Sequence, residues 1–486
     1  MTCEIFVLPH HKTIMAAAGE NLLAVLRREG LAVDAPCGGQ GKCGKCRVIL
    51  NGAPALACRV RVEGNMTVEL PPQQRQTVLT EGIAVQAAVD PAAGTLLAVD
   101  IGTTTVAAYL LDGPTGRQLA CASAANPQVS WGADVISRLQ AAREGQSEAM
   151  TAAMRRCLAD LVGDLCRAAG ILPENIAVVS VVGNPAMQQL FLGLPTDNLT
   201  AIPFAPLLRE AKEVSAAPYL PACKNARLLI VPDISGFVGA DTVAAVMASG
   251  MDRRAQTTLL VDIGTNGEMV LANRGRMAAC STAAGPALEG AGIRFGMPGR
   301  TGAIDHVWLE KGELKCSVIG GGTAVGICGS GIVDAVAAAL ELGLLNKRGK
   351  ILREDGIIPL TETVYLTQAD IRQVQLAKGA IAAGIDLLAE HLGIALVDID
   401  RVYLAGAFGT YMDPGSACRI GLLQPALLDK ITALGNAAGS GAQLLAADRA
   451  ALEYAQALAN TVEFVELAAM PRFSRCFAKN MEFTEG

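Results

Sequence analysis

The sequence predicts an α/β protein of several domains, in which a small β-rich module precedes a larger body. Two observations carry this prediction. Four cysteines crowd into residues 37–58 among short apolar runs, and the hairpin-like segment Leu96–Asp112 recurs as Leu259–Ala272. At 486 residues the chain is long enough for about three domains, since domains usually span roughly 100–200 residues.

Composition narrows the classes of partner. Lys and Arg number 40 against 46 Asp and Glu, which gives a net charge of −6, and no basic block is present. We therefore expect neither nucleic acid nor a membrane surface as a partner. The start MTCEIFVLPHHK lacks the pattern of a secretory signal, and 14 cysteines in such a chain favour a reducing compartment. The expected location is the cytoplasm.

The first module is predicted to span residues 1–72. Strands are expected at Cys3–Leu8 and Thr13–Ala17, and a helix at Asn21–Glu29. The polar, proline-bounded residues 73–94 then predict a linker to the body.

Four cysteines of this module have the spacing of an iron–sulfur site. They form C-x5-C-x2-C and a later single cysteine, and they are Cys37, Cys43, Cys46 and Cys58. Thiolates hold [2Fe–2S] clusters, and the surrounding glycines let backbone N–H groups point at the sulfur atoms. Zinc is the alternative, although a zinc ribbon more often has two C-x2-C knuckles. The ligand set resembles that of a ferredoxin-like β-grasp domain.

The body begins with a hairpin whose tip is suited to a phosphate. An apolar strand ends at Asp100, turns through Gly102, Thr103 and Thr104, and resumes as a second apolar strand. Glycine lets the backbone approach an anion, and threonine N–H and O–H groups donate to phosphate oxygens. Asp100 is suited to hold a metal ion against the same phosphates.

The second hairpin repeats this chemistry and predicts a clamp. Its corresponding residues are Asp262, Gly264, Thr265 and Asn266. Two such turns would enclose a polyphosphate, with Asp100 and Asp262 organising a metal ion and water.

Glycine-rich segments supply further candidates. Gly329–Gly331 stand at a predicted helix start, where N–H groups and the helix dipole favour a phosphate. A buried strand breaks at Gly406 and Gly409, which predicts a flat surface for adenine or ribose. Helices near 424–432 and 441–458 and a strand at VEFVEL are expected to complete the chain.

Together, the paired D-x-G-T hairpins, the GAD helix and the late strand-to-glycine turn make Thr95–Gly486 similar to the acetate kinase, sugar kinase, Hsp70 and actin superfamily. The resemblance implies a duplicated body of two ribonuclease H-like halves, about 95–255 and 256–486, that close on Mg²⁺ and ATP. Asp100 and Asp262 are the implied catalytic residues. The implied nucleotide contacts are Gly102, Thr103, Thr104, Gly264, Thr265, Asn266, Gly329, Ser330, Gly331, Gly406 and Ala407.

The whole chain resembles the reductive activators of corrinoid proteins, through VPDISGFVGADTVA, ICGSGIVDAV and LAGAFG. The resemblance implies ATP-dependent transfer of an electron from the [2Fe–2S] cluster to the Co(II) corrinoid of a partner in a methyltransferase system, which restores Co(I). It also implies an upstream electron donor. The corrinoid is expected on the partner because the chain has no D-x-H-x-x-G motif. A homodimer and a monomer both stay open.

Three other readings compete with this activity. A small-molecule kinase with an iron–sulfur redox sensor would phosphorylate a metabolite in the same cleft. An actin-like scaffold would explain the body and leave the four cysteines without a role. An activator of radical dehydratases would hold a [4Fe–4S] cluster between subunits.

Overall fold

The computed structural model describes residues 2–31, 33, 35, 37–41, 44–71, 80–83, 89 and 94–484. These residues form a head with a five-stranded sheet and a body with two six-stranded sheets, which confirms the predicted α/β class. The predicted linker, residues 73–94, lies mostly outside the described residues. In the part of the chain that the structure describes, no helix has the length and apolar character to cross a membrane.

The head, residues 2–71, packs one helix on a mixed sheet. Its elements are β1 (Thr2–Leu8), β2 (Lys12–Ala17), α1 (Leu22–Arg28), β3 (Arg47–Leu50), β4 (Ala53–Leu56) and β5 (Met66–Glu69). The sheet order is β2-β1-β5-β3-β4, and β1 runs parallel to β5. Alternate residues of β1, such as Ile5 and Val7, are buried against α1. The helix starts where predicted, because the Asn21 side chain accepts a hydrogen bond from the Ala24 N–H.

The first half of the body continues the chain after the head. Its elements are β6 (Thr95–Ile101), β7 (Thr105–Leu111), β8 (Gln118–Ala125), α2 (Val135–Ala141), α3 (Ser147–Ala169), β9 (Ile176–Gly183), α4 (Pro185–Leu192), β10 (Lys212–Ser215), β11 (Arg227–Ile230) and α5 (Ala240–Ser249). The sheet order is β10-β11-β9-β6-β7-β8. The predicted first hairpin is confirmed as the antiparallel pair β6–β7.

The second half contains a main sheet and two small ones. Its strands are β12 (Thr258–Ile263), β13 (Gly267–Asn273), β14 (Arg276–Thr282), β15 (Ala303–Glu310), β16 (Glu313–Val318), β17 (Gly326–Ile327), β18 (Ile357–Pro359), β19 (Tyr365–Thr367), β20 (Arg401–Ala405), β21 (Ile431–Gly435) and β22 (Glu463–Phe464). Its helices are α6 (Gly329–Glu341), α7 (Gln368–Leu392), α8 (Gly406–Tyr411), α9 (Pro414–Arg419), α10 (Ala437–Ala447), α11 (Ala451–Thr461) and α12 (Phe473–Asn480). The main sheet runs β21-β20-β12-β13-β14-β22, and the second hairpin is confirmed as β12–β13.

The two main sheets share the order of five strands, which explains the repeated hairpin, and their sixth strands lie at opposite edges. In each sheet three consecutive antiparallel strands lie beside two strands that arrive by helical crossovers and run parallel to the first strand of the hairpin. Both hairpins therefore lie inside their sheets, with a paired strand on either side. This duplication confirms the predicted ribonuclease H-like fold of the body.

A single apolar core joins the two halves through α5 and α10. It includes Tyr109 of the first sheet and Leu260 of the second, together with the buried faces of both helices. Gly441 permits the contact, because a Cβ there would lie 2.1 Å from the Ala244 carbonyl oxygen. The helices can approach this closely only because glycine lacks a side chain at the crossing.

Three local expectations near the C-terminus are wrong. The segment expected as a helix near 424–432 forms a short 3-10 turn, Pro425–Lys430. The helix expected at 441–458 is divided into α10 and α11, which separate around Asp448. The VEFVEL strand is reduced to the two residues of β22, since only these pair with β14.

Candidate functional site

The tips of the two hairpins meet at one carboxylate. Glu289 Oε2 accepts a hydrogen bond from Thr104 Oγ1 at 3.0 Å and from Thr265 Oγ1 at 2.7 Å. Each threonine belongs to one of the predicted phosphate turns, Gly102–Thr104 and Gly264–Asn266, which are called turn 1 and turn 2 below. The structure therefore brings together two turns that lie far apart in the sequence.

Asp100 and Asp262 lie at equivalent ends of the first strands of the two hairpins, on the same cleft. Asp100 Oδ2 accepts from Asn436 Nδ2 at 2.9 Å, and Asn436 is the residue that caps α10 in the second half. The same amide lies 3.2 Å from the Tyr109 hydroxyl. A side chain of one half thus orients the carboxylate of the other.

Burial and mutual repulsion raise the pKa of the carboxyls in this cleft. The pKa of Asp100 rises to about 7, mainly by burial and also by Asp241 and Asp262. The pKa of Asp262 rises to about 7 for the same main reason, with Asp241 and Glu289 adding to it. The pKa of Glu268, which pairs with Asp262 across the hairpin, is raised well above its ordinary value by burial first. Such a concentration of negative charge attracts a divalent cation.

A polar network fixes turn 1 from three sides. Asn126 Nδ2 donates to the Gly102 carbonyl at 2.8 Å, and Asn184 Nδ2 donates to Thr103 Oγ1 at 3.1 Å. Arg138 Nη2 donates to the Thr103 carbonyl at 2.5 Å. Arg138 is completely buried, and its Nε donates to the Gly132 carbonyl at 3.0 Å.

Turn 2 is held more locally, and Gly406 covers its carboxylate. Within the turn, the Gly264 N–H donates to the Asn266 carbonyl at 2.9 Å. Gly406 has φ +81°, and a Cβ there would lie 2.7 Å from Asp262 Oδ1. The sequence predicted an open glycine surface here, whereas the structure has a helix, α8, that starts at Gly406 and continues through Ala407 and Gly409.

The glycines at the start of α6 are packed inside the second half. A Cβ on Gly329 would lie 1.8 Å from the Leu288 carbonyl oxygen, and one on Gly331 would lie 2.5 Å from that of Ile304. Ser330 Oγ donates to the Asp305 carbonyl at 2.8 Å. These contacts explain the glycines by close packing, and a phosphate role for the three residues stays a prediction.

A cavity of about 750 Å³ opens beside the far end of α8. It lies between α6 and the α8–α9 connection, and Trp308 and Tyr411 line it with about half of each side chain exposed. His306 Nδ1 lies 2.9 Å from Asp334 Oδ2 in its wall. Thr410, also in the lining, donates to the Gly406 carbonyl at 2.9 Å, so one short helix connects this cavity to the carboxylate cleft.

In the head, two cysteines of the candidate cluster site, Cys46 and Cys58, lie side by side. Cys46 Sγ lies 3.2 Å from Cys58 Sγ. Burial first, and then the neighbouring Cys46 and Cys37, raise the pKa of Cys58 to about 11. Cys43 lies outside the described residues, and among the rest no three His, Cys, Asp or Glu side chains are arranged as a complete metal site. The assignment of all four ligands stays a prediction.

The surroundings of these thiols fit an anionic cluster. Arg27, in the last turn of α1, is buried enough that its pKa falls to about 10, while the charges of Cys46, Cys37 and Cys58 act to raise it. Its Nε and Nη2 atoms are buried without a hydrogen-bond partner in the described structure. A buried guanidinium that faces thiolates and has unused N–H groups is the environment that a thiolate-bound cluster needs.

Sequence reasoning missed the residues that connect the two turns to each other and to the scaffold. They are Asn126, Arg138, Asn184, Glu289 and Asn436. Three weak signals were present in the sequence. Asn184 and Asn436 both precede helices and are typical N-cap residues. Glu289 is a lone glutamate among glycines in ALEGAG.

Comparison with known proteins agrees with this architecture. A model of the 2Fe–2S iron–sulfur cluster binding domain matches residues 5–70. The RACo middle region matches residues 96–254, and the C-terminal domain of RACo, the ASKHA domain, matches residues 256–485. The chain is thus a [2Fe–2S] protein joined to an ATP-binding body of the actin, Hsp70 and sugar kinase class, in which Mg²⁺ accompanies ATP.

Individual relatives place the chain more narrowly. Corrinoid activation enzyme RamQ of Eubacterium limosum is 36% identical over 416 residues, which cover 80% of this chain and 70% of the relative. The [Co(II) methylated amine-specific corrinoid protein] reductase of Methanosarcina barkeri is 31% identical over 303 residues, 57% of this chain and 55% of the relative. A solved structure of a reductive activator for corrinoid, iron–sulfur protein superposes with a TM-score of 0.75 at 26% identity and covers 99% of this chain and 98% of that one. The chain belongs to the RACo family.

Proposed function

We propose that this protein is an ATP-dependent reductive activator of a corrinoid protein. The cluster supplies one electron, passing from its one-electron-reduced to its oxidised form as Co(II) of the partner's corrinoid becomes Co(I). Among the observations, one carries the proposal: the cluster head rests on the segment that also holds turn 1 of the ATP cleft. Residues 126–138, called the docking segment, make both contacts.

The docking segment touches the head on one side and turn 1 on the other. Ser130 Oγ donates to the Val33 carbonyl of the head at 3.2 Å. Arg138, at the other end of the segment, donates to Thr103 of turn 1. Coupling of ATP to electron transfer needs a contact between the head and the ATP site, and this shared segment provides one.

Energetics explain why ATP is needed. Plant-type [2Fe–2S] centres lie near −400 mV, and each 59 mV of a one-electron gap is a factor of ten in the equilibrium constant. An acceptor about 100 mV lower is therefore reduced unfavourably by more than tenfold. Closure of the two halves on ATP provides differential binding energy that favours the productive arrangement of head and acceptor.

The carboxylates of the cleft are proposed to hold Mg²⁺ against the phosphates. Mg²⁺ is usually bound by one or two carboxylates together with water and phosphate oxygens, and Asp100 and Asp262 offer one carboxylate from each half. The hydroxyls of Thr104 and Thr265, which now donate to Glu289, would then donate to phosphate oxygens. The nucleotide then replaces the glutamate as the link between the turns.

The base of ATP is proposed to enter the cavity beside α8. Gly406 adjoins Asp262 at one end of this helix, and Tyr411 lines the cavity at the other end. Trp308 also lines the cavity, and the only other tryptophan, Trp131, lies in a buried core. ADP should therefore change the fluorescence of Trp308, and Trp308→Phe should remove that response. A response that persists in this variant would place the base elsewhere.

The proposed activity is tested with an acceptor. Purified protein is reduced anaerobically and mixed with candidate Co(II) corrinoid proteins, and Co(I) absorbance is followed with and without Mg-ATP. We expect Co(I) to accumulate only with Mg-ATP. Asp262→Ala should abolish the ATP dependence with the cluster spectrum intact, and Cys46→Ala should lose the cluster spectrum with ATP binding intact.

The same preparation distinguishes the kinase alternative. A panel of small metabolites is incubated with the protein and labelled ATP, and phosphorylated products are separated. Phosphate transfer to a metabolite, without ATP-dependent reduction of any corrinoid protein, would contradict the proposed function.

A further inference from the structure

Arg27 lies at the junction of the head and the body. It occupies the last turn of α1, and its Nη1 lies 3.9 Å from the position that a Cβ on Gly39 would take in the thiol loop, residues 37–46. The same hypothetical Cβ would lie 3.8 Å from Cys58 Cβ. One guanidinium is thus adjacent to the backbone of the loop and to one of the predicted ligands.

The body covers the other face of this guanidinium. Arg27 Cζ lies 5.5 Å from the ring centroid of Trp131, a cation–π arrangement, and Trp131 is only 5% exposed. The indole is fixed in turn, because Trp131 Nε1 donates to Gln146 Oε1 at 3.3 Å. The thiol loop also touches this residue directly, since a Cβ on Gly38 would lie 3.1 Å from the Trp131 carbonyl oxygen.

Among the residues that the structure describes, no carboxylate pairs with Arg27. Its Nε and Nη2 atoms are buried and donate to no partner in the described structure, whereas its neighbour Arg28 is half-exposed and pairs with Glu20. A desolvated, unpaired cation acts strongly on nearby charge, because the local dielectric is low. Reduction adds one negative charge to a cluster, so such a cation stabilises the reduced form.

We propose that Arg27 sets the reduction potential of the [2Fe–2S] cluster and that Trp131 of the body holds it in position while the head is docked. Arg27 then acts on the cluster through its charge, and the cluster is reduced most readily while the head is docked. Separation of Trp131 from Arg27 would expose the guanidinium to water and lower the potential. The inference rests on the [2Fe–2S] part of the proposed function and is independent of the acceptor.

The test is an anaerobic redox titration of the full chain, followed by the EPR signal of the reduced cluster, without corrinoid or ATP. Arg27→Gln should lower the midpoint potential by about 60 mV, a tenfold loss in the equilibrium constant for reduction. Arg27→Lys keeps the charge and should change the equilibrium constant for reduction by less than threefold. Arg28→Gln is the matched control on the same helix turn, and it should leave the potential unchanged.

Trp131 is tested by Trp131→Leu, which keeps an apolar contact and removes the aromatic face. We expect about a threefold loss in the equilibrium constant for reduction, in the same direction as Arg27→Gln. A melting curve and the visible spectrum of the cluster show that each variant is folded and loaded. In the metal-free protein, Arg27→Gln in a Trp308→Phe background should change the emission of Trp131, the remaining tryptophan.

Two results would overturn the proposal. An Arg27→Gln potential equal to that of the wild type would remove Arg27 from the determinants of the potential. An equal shift in Arg28→Gln would show that any positive charge on α1 has the same effect. Because the titration contains no corrinoid, neither result bears on the proposed reduction of a corrinoid protein, which is tested separately.

Discussion

Turn 1 and turn 2 have the same motif on the same kind of hairpin, yet they are supported differently. Turn 1 accepts hydrogen bonds from Asn126, Arg138 and Asn184, three residues of its own half. Turn 2 is bonded within itself and to Glu289, and its carboxylate faces Gly406. The first turn is therefore connected toward the redox head, and the second toward the proposed base cavity. The two hairpins repeat one motif, and the surrounding residues connect them to different parts of the molecule.

The largest expected effect comes from the carboxylate of either turn. Asp262→Ala and Asp100→Ala should each lower ATP hydrolysis by about 10²-fold or more, because each removes one charge that holds Mg²⁺. Phosphate release measures this effect. Asp112→Ala, beyond the opposite end of the first hairpin, is the control and should retain the wild-type rate. A wild-type rate of hydrolysis in either variant would contradict the hypothesis that both turns hold the nucleotide.

Gly406→Ala should distinguish the close contact at turn 2 from simple backbone strain. Alanine at positive φ costs about 1 kcal/mol, and its Cβ would also lie against Asp262 Oδ1. Gly275 has φ +82° with nothing within 4 Å, so Gly275→Ala carries the strain alone. Both variants should melt earlier, and only Gly406→Ala should lose nucleotide affinity, by about tenfold. Equal nucleotide affinities of Gly406→Ala and Gly275→Ala, measured by calorimetry, would show that the contact with Asp262 does not affect binding.

Binding of Mg²⁺ and nucleotide should strengthen as pH rises through about 7. Asp100 and Asp262 have pKa values raised to about 7, and Mg²⁺ prefers their ionised forms. The neutral carboxyls contribute stability that is lost as pH rises toward 7, and bound Mg²⁺ offsets that loss. At pH 6 affinity should be about a hundredfold weaker than at pH 8, since only about a tenth of each group is ionised at pH 6 and binding favours both carboxylates. In Asp262→Asn, calorimetry should show that nucleotide affinity depends less steeply on pH. An unchanged pH dependence would show that Asp262 is not one of the groups that titrate.

The smallest expected effect concerns the support of turn 1. Asn184→Ala removes both the N-cap of α4 and the bond to Thr103, so it should cost about 1 kcal/mol and slow ATP hydrolysis by several-fold. Thr367→Ala removes the N-cap of α7, away from the cleft, at a similar cost in stability. Thermal melting and phosphate release are measured for both. If Thr367→Ala slows hydrolysis equally, the effect belongs to stability and not to turn 1.

The sequence by itself determined the two hairpins, the thiol spacing and the α/β class. These features are local, because a D-x-G-T turn or a C-x5-C-x2-C loop is specified by residues a few positions apart. Predictions from glycine alone were weaker: Gly406 lies against Asp262, whereas Gly329 and Gly331 are explained by packing.

Only the tertiary structure decided which residues complete the site. Asn436 reaches Asp100 across 336 positions, and Glu289 reaches Thr104 across 185. Arg27 and Trp131 belong to different parts of the chain, and neither has a local pattern that marks it. Their roles arise from burial, because an ordinary amide, carboxylate or guanidinium becomes specific only when packing removes water and leaves one partner within reach. The sequence therefore determined the candidate parts for binding a phosphate and an iron–sulfur cluster, and the fold decided how they are connected.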